Sequence, residues 1–317
     1  MARPDSSPVA DTAISPELNS SGRSPIVPVL TSLRPEQWTK NLFVFAGLLF
    51  GGRLGELDAV LLAATAFAIF CALSSAVYLF NDVIDREADR RHPLKRMRPI
   101  AAGQLSVRTA VVCAAVLAAA ALGLAFAVNS LFAATAAAYL TLLLLYSATL
   151  KHVVIVDVLT ISTGFVLRAV AGAVAVMVPI SHWLLVCTTL LALFLGLSKR
   201  RHELTLLAEG AVVHRPILEE YSPYLLDQMI AVVTASTLIA YTFYATSAET
   251  AEKLGTTRLG LTVPFVLYGI FRYLYLVHQK RVGGSPASLL IADRPLLACV
   301  ALWALSVVLL LYSPWGA

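Results

Sequence analysis

The sequence has few charged residues for its length. Only 14% of the 317 residues are Asp, Glu, Lys or Arg, whereas a soluble domain carries about 25%. This shortage excludes an ordinary soluble globule, and the 58% of hydrophobic residues excludes a disordered chain. The apolar residues form long runs, whereas a β-barrel has short alternating segments. The composition therefore predicts an all-α membrane protein.

Cysteine and histidine are also scarce. The four cysteines (Cys71, Cys113, Cys187 and Cys299) stand far apart in apolar runs, so we expect neither a disulfide framework nor a thiolate metal site. None of the six histidines pairs with another at ligand spacing, which argues against a zinc site.

Nine apolar stretches have the length, or nearly the length, needed to cross a membrane. They lie at about 41–52, 57–80, 107–128, 130–149, 153–177, 181–198, 226–247, 260–279 and 295–313. The first reaches full length only if residues 35–40 join it. Residues 1–28 hold five of the fifteen prolines and show no apolar period, so we expect a disordered arm there. Residues 29–317 are expected to form one transmembrane domain.

The positive charges fall on one side of the predicted membrane. When the connecting segments are alternated, 19 of the 24 Lys and Arg lie on one side and three on the other. The positive-inside rule places the basic side in the cytoplasm. We therefore expect a multi-pass protein of the plasma membrane, with its N-terminus in the cytoplasm and its C-terminus outside. The net charge of +5 reflects this topology, and no nucleic acid partner is expected.

Residues 78–104, YLFNDVIDREADRRHPLKRMRPIAAGQ, combine acids and bases in a pattern that suits a metal–diphosphate ligand. Asn81, Asp85 and Asp89 recur every four residues and so line one side of a helix, with Tyr78 on the same side. Such hard oxygen ligands suit Mg²⁺, which binds few carboxylates together with substrate phosphates. Several cations follow and could hold phosphate oxygens: Arg86, Arg90, Arg91, Lys95, Arg96 and Arg98. The alternative is a solvated charged loop that only sets the topology.

Arg168 lies near the middle of the fifth apolar stretch. A charge there costs about 2.5–3.5 kcal/mol on insertion scales, and such residues usually face a cavity or a partner. The functional interpretation is a phosphate anchor inside a cavity, and the alternative is a buried ion pair with Asp157. Gly164 and Gly172 flank the arginine and would permit close approach of neighbouring helices.

Further cations lie at the cytoplasmic ends of other stretches: Lys40, Lys151 beside His152, and Lys199–Arg200–Arg201 with Glu203. Each alone is explained by topology. Together they would surround the same mouth as the Asn/Asp face, and we expect them to form an anion-binding vestibule.

At NDVIDREADRRHPLKRMRPIAAG the sequence resembles the UbiA superfamily of intramembrane prenyltransferases. The first acidic motif of that family, Asn-Asp-x-x-Asp-x-x-x-Asp, is matched by Asn81, Asp82, Asp85 and Asp89. The resemblance implies a nine-helix bundle around a central cavity open to the cytoplasmic side, a Mg²⁺–diphosphate ligand and a lipid substrate. The second acidic motif of prenyl-transferring members is absent, since the loop after the sixth stretch reads GLSKRRHELTLLAEG.

Four further segments are similar to one branch, the decaprenyl-phosphate phosphoribosyltransferases: RPEQWTKN (34–41), YSATLKH (146–152), VLRAVAGAVA (166–175) and SKRRHEL (198–204). The branch implies transfer of 5-phosphoribosyl from 5-phosphoribosyl 1-diphosphate to polyprenyl (decaprenyl) phosphate, with release of diphosphate, in the synthesis of cell-wall arabinan precursors. Mg²⁺ is the implied cofactor, and a homo-oligomer is a further expectation.

The resemblance also implies roles for individual residues. Asn81, Asp85 and Asp89 would bind the metal, and Asp82 and Asp85 would be catalytic. The remaining contacts, to phosphates and ribose, fall to Lys40, Tyr78, Lys95, Lys151, Arg168, Lys199 and Arg200. Two other functions stay open: transfer of a prenyl group to an aromatic acceptor, and non-catalytic transport or binding of a phosphorylated lipid.

Overall fold

The computed structural model describes residues 26–93, 95–208, 216–280 and 286–312, and its regular structure in these ranges is helical. The all-α prediction is therefore confirmed. Most of the predicted disordered arm, residues 1–25, lies outside the described residues, and the first helix begins at Ile26, within the last residues assigned to the arm.

Thirteen α-helices and five short 3₁₀ helices make up the described chain. The α-helices are α1 (Ile26–Leu33), α2 (Ala46–Phe50), α3 (Leu57–Ile84), α4 (Arg86–Arg91), α5 (Val107–Val128), α6 (Ser130–Ala148), α7 (Val156–Ala175), α8 (His182–Ala208), α9 (Pro223–Thr246), α10 (Ala248–Leu254), α11 (Val263–His278), α12 (Pro286–Ala292) and α13 (Arg294–Tyr312). Within the described ranges, eight helices are long and apolar enough to cross a membrane. They correspond to eight of the nine predicted stretches: α3, α5, α6, α7, α8, α9, α11 with its preceding 3₁₀ turn, and α13.

The first predicted stretch has a different structure, and the count of nine is not confirmed. Residues Pro35–Phe45 form a 3₁₀ helix that continues directly into the five-residue α2. A 3₁₀ helix rises about 2.0 Å per residue and an α-helix about 1.5 Å, so the two pieces together extend about 30 Å. We call residues 35–50 the 3₁₀ segment. One end contacts α3, where Trp38 Nε1 donates to Ser75 Oγ at 3.0 Å. At the other end, the hydroxyl of Tyr312 donates to the Leu49 carbonyl at 2.7 Å.

Helices α3 and α7 form the interior of the bundle. In their apolar windows 56% and 61% of residues are buried, against 17–39% in the other membrane-crossing helices. Polar side chains such as Asp82 on α3 and Arg168 on α7 are therefore buried against protein, whereas the outer helices have more exposed apolar surface.

The 3₁₀ segment packs directly on the backbone of α7. A Cβ atom added to Gly172 would lie 1.8 Å from the carbonyl oxygen of Val44, and one added to Gly47 would lie 2.5 Å from Ala173 Cα. The prediction of close approach at Gly172 is thus confirmed. At Gly164 it is wrong, since the nearest neighbours of an added Cβ there, Arg168 Nη1 and Leu143 Cδ2, stand at an ordinary 3.7 Å.

Replacement of Gly172 by alanine should destabilise the protein, because the new methyl group meets rigid backbone. We expect a loss of at least about 1–3 kcal/mol, seen as a lower thermal unfolding midpoint in detergent. The matched variant Gly164→Ala, on the same helix, should keep the wild-type midpoint. Equal midpoints for both variants would contradict the packing described here.

Candidate active site

The acidic motif lies where α3 ends. Asp85 follows the last residue of α3, and α4 begins at the next residue. Backbone hydrogen bonds from Asp85 N to the Asn81 carbonyl and from Asp89 N to the Asp85 carbonyl, both 2.8 Å, carry the helical repeat across this break. The three residues therefore lie one helical turn apart, but the predicted common face is not confirmed for Asp89, as its contact with Arg98 shows.

The side chain of Asp89 lies with that of Asp82. One nitrogen of Arg98, Nη1, donates to Asp82 Oδ1 at 3.1 Å and to Asp89 Oδ2 at 2.6 Å. Eight residues of helix accumulate a rotation of about 80°, which brings Asp89 closer to the face of Asp82 than to that of Asn81. Asp82 and Asp89 are both almost completely buried, so this pairing satisfies two carboxylates that water does not reach.

Arg34, the residue before the 3₁₀ segment, also binds at this site. Its guanidinium donates to Asp82 Oδ1, and it lies over the ring of Tyr78, 5.0 Å from the centroid. Arg34 has a left-handed backbone, with φ at 53°. A non-glycine residue in this region is held there by its surroundings, and here the ion pair and the ring contact hold it.

Asp85 is paired with a different cation. Lys151 Nζ donates to Asp85 Oδ1 at 2.8 Å. Lys151 lies in the 3₁₀ turn Leu150–His152 that joins α6 to α7. The structure thus brings Lys151 to the acidic motif, as the vestibule prediction requires. Asp85 remains 38% exposed, so it is the acid of the motif best placed to meet a ligand from solution.

Arg168 lies inside the bundle without a carboxylate. Its Nε donates to Asn41 Oδ1 at 2.7 Å and its Nη2 donates to the Tyr139 hydroxyl at 2.6 Å. Its guanidinium carbon lies 4.8 Å from the Tyr139 ring centroid and 5.0 Å from that of Phe165. In the described part of the chain no acidic side chain forms an ion pair with Arg168, which is 6% exposed.

Asp157 is paired with Arg200, so the alternative in which it pairs with Arg168 is wrong. Arg200 Nε donates to Asp157 Oδ2 at 2.8 Å, and Arg200 Nη1 donates to Glu203 Oε2 at 2.7 Å. Arg200 is only 1% exposed. The assignment of Arg200 to substrate binding stays a prediction, because two carboxylates of the protein already bind its guanidinium.

Three of the residues predicted to contact phosphate lie near one another and are all basic. Lys199, Arg168, Arg34 and the acid Glu36 lie within electrostatic range of the Lys40 amine. Lys199 Nζ also lies 3.8 Å from Glu203 Oε1. We call Lys40, Arg168 and Lys199 the cation group. They come from three separate elements: the 3₁₀ segment, α7 and α8. Repulsion among like charges in a partly buried region falls when an anion binds between them.

Lys95 follows the acidic motif in the chain. It begins a one-turn 3₁₀ helix after α4, and its backbone N–H donates to His92 Nδ1 at 3.3 Å. Its predicted contact with phosphate stays a prediction. So do the assignments of Asn81, Asp85 and Asp89 to a metal and of Asp82 and Asp85 to catalysis.

The residues at the end of α3 fit a magnesium ion. Across the described residues there is no group of three or more His, Cys, Asp or Glu side chains that could hold a metal. Mg²⁺ needs no such group, since it keeps several waters and uses one or two carboxylates together with substrate phosphates. The half-exposed carboxylate of Asp85 and the partly buried amide of Asn81, one turn earlier, provide oxygen ligands of the required kind.

Two cavities lie away from this site. One holds about 20 Å³ and includes Gly51, Val178 and Pro179 in its wall. The other is an open groove of about 400 Å³ whose wall includes Asn129 and Met177. Both lie at the end of α7 that follows Arg168, and neither touches a predicted site residue. The prediction of a central cavity open to the cytoplasmic side is therefore not confirmed by these cavities.

Sequence reasoning did not single out three residues that shape the site. In the sequence, Arg34 is only the first residue of the segment RPEQWTKN, whereas in the structure it pairs with Asp82. Asn41 is completely buried, and besides its contact with Arg168 it donates to Ser74 Oγ at 3.2 Å. An asparagine at the start of an apolar stretch is a signal that could have identified it. Tyr139 has no such signal, since an aromatic residue in an apolar helix is ordinary.

The sequence is similar to known proteins. The model of the UbiA prenyltransferase family matches residues 41–291. A decaprenyl-phosphate phosphoribosyltransferase of Corynebacterium glutamicum is 33% identical over 289 residues, which cover 90% of this chain and 86% of the relative. A decaprenyl-phosphate phosphoribosyltransferase of Mycolicibacterium smegmatis is 34% identical over 286 residues, which cover 87% and 89%.

A solved structure shows the same fold. The UbiA homologue from Archaeoglobus fulgidus bound to DMAPP and Mg²⁺ has a TM-score of 0.68 and 21% identity, and the match covers 89% of this chain and 99% of that chain. The resemblance noted at the acidic motif is confirmed by the family match and by the relatives. This chain belongs to the UbiA prenyltransferase family, a family of membrane-embedded transferases.

Proposed function

We propose that this protein transfers a 5-phosphoribosyl group from 5-phosphoribosyl 1-diphosphate to a polyprenyl phosphate such as decaprenyl phosphate, with release of diphosphate. The active site would face the cytoplasm, where the basic segments are predicted to lie. The two curated relatives named above, which are phosphoribosyltransferases of this kind, support the proposal. The product would be a precursor for cell-wall arabinan.

The observation that carries the proposal is the unpaired charge of Arg168. A buried guanidinium whose described contacts are neutral oxygens and aromatic rings keeps most of its positive field. Lys40 and Lys199 lie close enough to add to that field. An anionic ligand is the partner that such a group requires.

The number of cations suits this pair of substrates. The donor has a diphosphate and a 5-phosphate, and the acceptor has a third phosphate, so three anionic groups must meet in one pocket. An aromatic prenyltransferase brings only the diphosphate and, at most, a carboxylate to the reaction. The cation group and Lys151 together offer four basic side chains from four elements of the fold, of which Lys199 also lies 3.8 Å from Glu203 Oε1.

The reaction needs charge stabilisation more than proton transfer. The bond between ribose C1 and the diphosphate oxygen breaks, and its electron pair leaves with the diphosphate. An oxygen of the lipid phosphate attacks the opposite face of C1 and forms the new C–O bond. This oxygen is already an anion, so no general base is required. Positioning by the cations and the field at the leaving diphosphate provide the rate acceleration.

A metal would act at the diphosphate. Asn81, Asp85 and Asp89 are the residues that would hold Mg²⁺, with Asp82 next to them. When bound, Mg²⁺ neutralises charge on the diphosphate and makes it a better leaving group. Lys151, which donates to Asp85 Oδ1, would provide a positive charge beside the same diphosphate.

Purified protein with Mg²⁺, labelled phosphoribosyl diphosphate and polyprenyl phosphate should move label into the lipid phase. This result is expected because both substrates match the cation group in charge. Transfer seen only with a prenyl diphosphate and an aromatic acid would overturn the proposal in favour of an aromatic prenyltransferase. No diphosphate release with either pair would indicate a binding or transport protein.

Asp85→Asn should raise the Mg²⁺ concentration for half-maximal turnover at least about tenfold, because it removes a charged oxygen ligand. The fold should survive, since Asp85 is partly exposed and caps a helix end. Glu87→Gln is the matched control: this acid lies on α4 two residues later, is 69% exposed, and should not change the Mg²⁺ curve. A wild-type curve for Asp85→Asn would show that this carboxylate does not bind the metal.

A further inference from the structure

Lys151 lies shortly before a strained turn at Ile155. Between the 3₁₀ turn that contains Lys151 and the start of α7, Ile155 has φ at 67° and ψ at −45°. The N–H of Val156 donates to the Val154 carbonyl at 2.7 Å across it. These values define the γ-turn with positive φ, which is rare and strained. A β-branched residue is among the least tolerant of this conformation.

One hydroxyl group holds this turn. The Ile155 N–H donates to the Tyr221 hydroxyl oxygen at 2.7 Å, and the Tyr221 hydroxyl donates to Asp157 Oδ1 at 3.0 Å. The direction is fixed, because a carboxylate only accepts and a backbone N–H only donates. Burial raises the pKa of Tyr221 to about 12, so the hydroxyl keeps its proton at neutral pH.

Asp157 is in turn fixed by Arg200, as described above, and Arg200 follows Lys199 directly. The chain of contacts thus joins the turn at Ile155, the first turn of α7 and the cytoplasmic end of α8. Its ends, Ile155 and Arg200, lie four residues after Lys151 and one residue after Lys199. Tyr221 itself is 4% exposed and lies between the 3₁₀ turn Pro216–Glu220 and α9. None of its described hydrogen bonds is to a predicted metal ligand or phosphate contact.

We propose that Tyr221 is a positioning residue: its hydroxyl holds the strained γ-turn at Ile155 and thereby keeps Lys151 at the diphosphate site. This inference builds on the proposed function only in taking that site to bind a diphosphate. It predicts that the hydroxyl of Tyr221 matters for Mg²⁺–diphosphate binding although it touches no ligand.

The test uses full-length protein in detergent, with inorganic diphosphate and Mg²⁺ as the ligand and calorimetry as the measurement. Tyr221→Phe removes only the oxygen, so the turn can relax and Lys151 shifts. A misplacement of about 1 Å costs up to about 100-fold in such sites, and we expect binding to weaken about 10- to 100-fold. In the transfer assay the KM for the phosphoribosyl donor should rise, while the KM for the lipid acceptor stays near the wild-type value.

A second substitution that restores binding distinguishes a positioning role of Tyr221 from a general packing role. Glycine adopts positive φ without strain, and Ile155 is 44% exposed, so Ile155→Gly should remove the need for the hydroxyl at little loss of packing. The double variant Tyr221→Phe/Ile155→Gly should recover most of the binding. Met177→Gly, at another positive-φ position with φ at 53°, should give no recovery because it lies at the other end of α7.

A matched tyrosine serves as the control. Tyr273 is buried in the same hydrophobic cluster as Tyr221, and its hydroxyl has no hydrogen-bond partner among the described residues. Tyr273→Phe should bind like wild type.

Wild-type binding by Tyr221→Phe, or a loss that Ile155→Gly does not repair, would overturn the positioning role. If the wild type binds Mg²⁺–diphosphate and Tyr221→Phe does not, yet no phosphoribosyl is transferred, the proposed function fails and the positioning role stands. A wild type that does not bind the ligand would contradict both.

Discussion

The arrangement of this protein depends on a positive charge in its interior that none of its described acids neutralises. Burial of an ion destabilises a protein unless the ion is paired. Removal of one partner of a buried pair leaves the other as an unpaired buried charge. Arg168 is partly compensated by the oxygens of Asn41 and Tyr139 and by two aromatic rings. These neutral groups fix its direction and leave its charge without a carboxylate partner among the described residues. The close packing of the 3₁₀ segment on Gly172 brings Asn41 to the arginine.

The acids near the end of α3 and the start of α7, in contrast, are paired with cations. Asp82 has two guanidinium partners, Asp85 has Lys151, and Asp157 has Arg200. Except for Asp89, whose partner Arg98 lies close by in the chain, each carboxylate is paired with a cation from a distant element. The pairs therefore tie the 3₁₀ segment, α3, α7 and α8 together at one end. Of these acids only Asp85 is partly exposed, so it is the carboxylate at which a ligand can exchange with a protein cation.

Much of this was predictable from the sequence. Hydropathy determines where eight helices run, and the four-residue spacing predicts that Asn81, Asp85 and Asp89 follow one another by helical turns. It does not predict that the side chain of Asp89 lies with that of Asp82. The 3₁₀ geometry of residues 35–45 was not predictable, because it arises from close packing against a glycine on a distant helix. The partners of Arg168 and Asp157 were also out of reach, since helical spacing says which face a residue occupies and not which neighbour meets that face. Tyr221 lacks any local signal, because its role depends on a turn 66 residues earlier in the chain.

The most direct test of the central claim is the affinity for inorganic diphosphate, measured together with the thermal unfolding midpoint, for wild type and for Arg168→Met. If Arg168 is an anion site, the variant should bind diphosphate at least about tenfold more weakly, while its unfolding midpoint stays the same or rises because a buried charge is gone. Unchanged diphosphate binding with a lower unfolding midpoint would contradict the account and would show that the arginine serves the fold alone.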